Sequence, residues 1–163
     1  MSIATEDLYE SDFYAWTRAQ AGALRGLAEA RWNGPLDLAR LAEEVEDLGS
    51  ERRDAVLSQL RRIMEHLLKL EYSAHPEPRR QWLLSVDEAR EAVIDRLTPT
   101  IRLVVEERID ELYRRARRRA VLGLTDHGER VASELPERCP YLLDQLLDET
   151  WLPANRHGLE DEI

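Results

Sequence analysis

Along most of this chain leucine, valine, isoleucine and alanine recur every three or four residues, and the runs are broken by short segments rich in glycine, proline and asparagine. That spacing matches the 3.6-residue turn of an α-helix and not the alternation of a half-buried strand. After the capping pair Ser11-Asp12, Phe13, Trp16, Gln20, Leu24 and Leu27 form one apolar face as far as about Ala30, and Asn33-Gly34-Pro35 stops it. Asp37 caps a short second helix with Leu38, Leu41, Ala42, Val45 and Leu48 on one face, closed by Gly49. Ser50 opens a third that turns Val56, Leu60, Ile63, Met64 and Leu67 inward and ends near Tyr72, before His75-Pro76-Glu77-Pro78. Trp82, Val86, Ala89, Val93 and Leu97 mark a fourth. From Thr98-Pro99 a fifth carries Ile101, Val104, Val105, Ile109, Leu112, Ala116 and Ala120 to a closing Gly123. Residues 123–138 read as a surface excursion. A last helix has Pro140 in its first turn and docks through Leu142, Leu143, Leu146 and Leu147.

The expected class is all-α, an antiparallel helical bundle of about five to six helices. A single domain is expected over residues 1–163, with frayed ends at 1–8 and 154–163. Composition agrees, since Leu, Ala, Glu and Arg make up 86 of the 163 residues and Val, Ile and Thr only 20. A net charge of −10 disfavours nucleic acid as a general partner. No run of more than six residues lacks a charge, so no membrane helix is expected. Met1–Thr5 have neither a basic start nor an apolar run, which points to the cytoplasm. One cysteine, Cys139, leaves no intrachain disulfide framework.

Four strings occur in order: Tyr9-Glu10-Ser11-Asp12-Phe13-Tyr14-Ala15-Trp16, Leu41-Ala42-Glu43-Glu44-Val45-Glu46-Asp47-Leu48-Gly49, His66-Leu67-Leu68-Lys69 and Cys139-Pro140-Tyr141. Together they resemble the bacterial family catalogued as domain of unknown function 29, over about Tyr9 to Pro153. The resemblance implies an all-helical fold and brings no established activity. It also places an arginine at Arg90. Gln81 stands where the family usually has serine, and Thr98-Pro99-Thr100-Ile101 where it often has Pro-Ser-Leu.

Two features offer chemistry. Glu44 and Glu46, with His66 downstream, are hard and borderline ligands of the kind that build metal or acid-base sites in helical bundles. Against this, Ile63 stands where a Glu-x-x-His pair needs its carboxylate, and the acids read as a solvated face that meets Arg52, Arg53 or Arg90. Five arginines at 114, 115 and 117–119, Arg117 and Arg118 among them, are the second feature and can engage phosphate. Asp110 and Glu111 lie four residues before Arg114 and Arg115, a spacing that instead pairs them along the helix. Cys139 beside a helix start has the setting of a lowered thiol pKa, with no base nearby in sequence. No nucleophile elbow or glycine-rich phosphate loop is present, and no cofactor is expected. The expected role is protein interaction or regulation, through a partner or self-association. A metal-dependent enzyme using the carboxylates and His66 is the alternative, and nucleic-acid association through the arginines a weaker one.

Overall fold

The computed structural model describes residues 2–161. Among them are six helices and no strand: α1 Ser2–Ser11, α2 Phe13–Glu29, α3 Leu38–Tyr72, α4 Arg79–Ile94, α5 Pro99–Asp126 and α6 Leu143–Leu147. The all-α class read from the apolar period is the class observed. The chain forms two compact units, Met1–Ala55 with Arg96–Val104, and Val56–Asp95 with Val105–Ile163. Helices α3 and α5 contribute residues to both.

In the first unit one carboxylate starts two helices. Asp12 Oδ1 accepts from Ala15 N at 2.9 Å, in the first turn of α2, and Oδ2 accepts from Thr100 N at 2.8 Å, in the first turn of α5. Thr98 Oγ1 accepts from Ile101 N and completes the cap of α5. Burial pushes the Asp12 carboxyl up, but these donated bonds outweigh it and leave its pKa below the ordinary range. The start of the chain is helical from Ser2. Tyr9 near the end of α1 packs edge-on against Phe13 and Trp16, at 5.5 and 4.9 Å between ring centres. This aromatic contact ties α1 to α2.

Two expectations about this unit are corrected. The buried side of α2 is Tyr14, Thr17 and Ala21, about one residue round from the face read off the sequence, and Leu27 is exposed. The expected second and third helices are one helix of 35 residues, and Gly49 lies inside it. A Cβ on Gly49 would lie 2.0 Å from Thr17 Oγ1 and 3.3 Å from the Tyr14 ring. Glycine is there because α2 approaches closely, not because the chain turns. With Gly49 and Ala42 on the contact face, Leu41 and Leu48 point away and are 40% and 53% exposed.

In the second unit α3 is enclosed. Ile63, Met64, Leu67, Leu68 and Leu70 are fully buried, and together they occupy more than one face of the helix. Around them lie Trp82, Val86, Ala89 and Val93 of α4 and Val105, Leu112, Tyr113, Ala116, Ala120 and Leu124 of α5. Gly123, expected to end α5, is again internal; a Cβ there would lie 2.7 Å from Lys69 Cε.

The tail holds the C-terminus of α3. Asn155 Nδ2 donates to the carbonyls of Leu70 and Ser73 at 2.8 and 2.9 Å, which the helix end leaves without internal donors. Arg79 donates to Leu70 O and makes a two-pronged pair with Asp161, both bonds 2.7 Å. Asn155 and Asp161 thus place the tail against the end of α3 and the start of α4. The last helix is shorter than expected and begins at Leu143, not at Pro140. Tyr141 is buried and its hydroxyl donates to Glu71 at 2.8 Å, which fixes the chain before α6 in a non-helical path.

The glycine reading makes a prediction opposite to helix propensity, by which Ala replaces Gly at a gain of about 1 kcal/mol. Gly49→Ala is expected to destabilise by about 1–3 kcal/mol through overpacking. Combining it with Thr17→Ala should recover most of the loss, measured by urea unfolding of the single and double variants.

Candidate functional site

The residues singled out by sequence do not converge on one place. Glu44 is exposed, and Glu46 is paired with Arg25 of α2, whose hydrogen bond and charge hold its carboxyl below the ordinary range. These carboxylates belong to the first unit, whereas His66 belongs to the second. Among the described residues no group of three or more His, Cys, Asp or Glu is arranged to hold a metal.

The arginines expected to meet the acidic helix have other partners. Arg52 Nε donates to Arg96 O at 3.2 Å, and Arg53 pairs with Asp54 at 2.8 Å. Arg90 is 2% exposed, and its Nε and Nη2 donate to the carbonyls of Leu146 and Gln145 at 2.9 and 3.0 Å. Burial lowers its pKa, while Asp148, Asp87 and Glu149 work in the opposite sense. This guanidinium serves as the donor set for the end of α6.

The arginine-rich end of α5 is partly committed to the fold. Arg115 pairs with Glu111 at 2.8 Å, at the spacing read from the sequence. Arg117 donates to the carbonyls of Ala132, Leu135 and Pro136 and holds the loop between α5 and α6. Arg119 meets Glu65 at 3.2 Å, whereas Arg114 and Arg118 are exposed. The thiol of Cys139 is half-buried, and burial pushes its pKa up, opposite to an activated nucleophile; it donates to Tyr141 O at 3.4 Å.

Two sequence-selected residues line cavities: Arg90 borders one of about 270 Å³ beside Asp87 and Glu149, and His66 a larger one. An open groove of about 470 Å³ runs between α3 and α4 in the second unit, with Arg62, His66 and Lys69 on one wall and Gln81, Trp82 and Ser85 on the other. The α3 side chains are spaced four and three apart and so share one face. His66 Nδ1 lies 2.8 Å from Arg62 O; a carbonyl only accepts, so Nδ1 carries the hydrogen and Nε2 is the acceptor of the neutral ring. Burial lowers the imidazole pKa, with Lys69 and Arg62 acting in the same sense and the Arg62 carbonyl and Glu65 opposing.

Lys69, the only lysine in the chain, is nearly buried and donates to Glu65 Oε1 at 2.7 Å; its ammonium lies 6.0 Å from the Trp82 ring centre. Burial pushes the Glu65 carboxyl up, but the bond from Lys69 and the charges of Lys69, His66 and Arg119 hold it below the ordinary value. Arg62 Nε donates to Ser85 Oγ at 2.8 Å, and its Nη2 lies 3.6 Å from Glu88. Sequence reasoning passed over Arg62, Lys69, Trp82 and Ser85. The available signal was a lone lysine on the apolar side of a helix.

Among the described residues six helices, a half-helix buried on more than one side and a polar groove beside it define an all-α protein. The chain belongs to the family described as Domain of unknown function DUF29, whose profile matches residues 8–152. It is also similar to an α-helical protein of unknown function from Rhodospirillum rubrum, known from a crystal structure at 1.45 Å resolution. The two are 29% identical, with a TM-score of 0.75 over 88% of this chain and 90% of the other. No curated protein matches the chain. Among the described residues no helix is long and apolar enough to cross a membrane.

The groove's histidine predicts a pH effect. A folded-state pKa below the ordinary 6.5 means that the unfolded chain binds the proton more readily. The corresponding stability is complete above the unfolded value and is lost as pH falls through the folded one. The urea midpoint of the wild type should therefore fall more steeply below that range than that of His66→Gln; equal slopes would contradict the burial of the imidazole.

Proposed function

We propose that this protein is a protein-interaction or regulatory module of the bacterial cytoplasm, folding as one helical domain and acting through a protein partner or a second copy of itself. The observation that carries the reading is the concentration of exposed large apolar side chains in the first unit. Leu41 and Leu48 are 40% and 53% exposed and lie seven residues apart, on one side of α3. Leu27 at the end of α2, Trp32 and Leu36 in the connection to α3, and Leu103 of α5 are exposed as well. Single exposed leucines are ordinary on any protein surface. A face that repeats them at heptad spacing is the kind of surface a helical partner covers. The helices that carry this face are capped and packed on their other side, so it is presented on a fixed frame.

Purified protein is expected to self-associate, or to retain a stoichiometric protein partner, by light scattering with analysis of bound chains. Leu41→Glu combined with Leu48→Glu should abolish this while helical circular dichroism is unchanged. A monomer without bound protein, indistinguishable from the double variant, would contradict the reading.

A further inference from the structure

The groove between α3 and α4 carries a second, separate inference. We propose that it binds a small organic oxyanion, a metabolite-sized molecule bearing a carboxylate or phosphate group, with Arg62 and Lys69 facing the charge and Trp82 against the organic part. The chain as a whole has ten more acidic than basic residues. Among the groove's lining side chains the balance is reversed: Arg62 and Lys69 stand against Glu88, two cations to one carboxylate. Glu65 is shared between Lys69 and Arg119 and cannot neutralise both.

Donors remain beyond those the fold consumes. Lys69 has three N–H groups, and one is given to Glu65. The Nε of Arg62 is fixed by Ser85, which orients the guanidinium, while Nη2 stands 3.6 Å from Glu88, longer than a hydrogen bond. A planar guanidinium fixed at Nε, with only a long, exposed ion pair to Glu88 at Nη2, keeps donors for a two-pronged oxyanion. Gln81 adds an exposed amide on the opposite wall. The cavity volume lies in the range of small-molecule sites, and Trp82 with Leu84 gives it an apolar flank. His66, half-buried with Nδ1 bonded to the Arg62 carbonyl, leaves Nε2 as an acceptor for a ligand hydroxyl or amide.

The test is a titration of the full chain with inorganic phosphate and, separately, with succinate, at ionic strength held constant with chloride. The assigned Trp82 indole and His66 ring resonances are followed by NMR. Saturable shifts with either anion are expected; phosphate alone would identify a phosphate-bearing ligand and succinate alone a carboxylate-bearing one. Arg62→Met should weaken binding about tenfold or more, the worth of a charge-assisted contact. Glu88→Gln, which removes the one carboxylate on the groove wall, should tighten it. Both side chains are substantially exposed, so the variants should unfold at nearly the wild-type midpoint. Shifts no larger than those produced by chloride, or equal affinity in wild type and Arg62→Met, would overturn the proposal.

Discussion

A helix that is apolar on more than one face has to be surrounded on those faces, and α3 from Val56 to Tyr72 is such a helix, with only its Ser58, Arg62 and His66 side left polar. Side chains of α4, α5 and the tail are arranged by that requirement. Burying a helix end would strand its last carbonyls, so donors are brought to them: Asn155 and Arg79 reach Leu70 and Ser73. The pair between Arg79 and Asp161 follows from the same need, because a guanidinium drawn into the interior to serve a carbonyl must meet a counter-charge there.

Several arginines act here as backbone donors instead of surface charges. Arg79, Arg90 and Arg117 each donate to main-chain carbonyls at the ends of helices or in the loop after α5. The planar fork supplies several N–H groups from one residue, which suits segments too short to satisfy themselves. α6, five residues long, depends on such help more than the long helices do. The groove beside Lys69 departs from this economy, since Arg62 is held by one bond and keeps most of its donors.

The apolar period made the helices legible, and Asp12, Asp37 and Thr98 were recognisable starts because a short polar side chain precedes an apolar run. Glycine was misleading in both directions. Gly49 and Gly123 read as helix ends, yet each marks the place where a neighbouring side chain, Thr17 or Lys69, fills the space that a Cβ would need. The turn after α2 reverses the pattern: Arg31 adopts the left-handed φ of 61° while Gly34 does not. Local rules assign glycine to turns because they see no neighbour; only tertiary packing tells the two uses apart. The face of α2 was misplaced for a related reason. Thr17 and Ala21, small and weakly apolar, make the close contact, and the larger Phe13 and Trp16 pack at its edge. In the candidate groove His66 was visible as a histidine on a helix flank. Arg62 and Ser85 were not, because their pairing joins residues 23 apart in sequence.

One unbroken helix through Gly49 is what lets α3 present Ala42 and Gly49 to α2. Native-state amide hydrogen exchange across residues 46–54 tests this most directly. A continuous helix predicts slow exchange at Ser50, Glu51, Arg52 and Arg53, comparable with the residues on either side, since each amide is bonded four residues back. Fast exchange confined to those four amides, as for the open first turn of a separate helix, would contradict it.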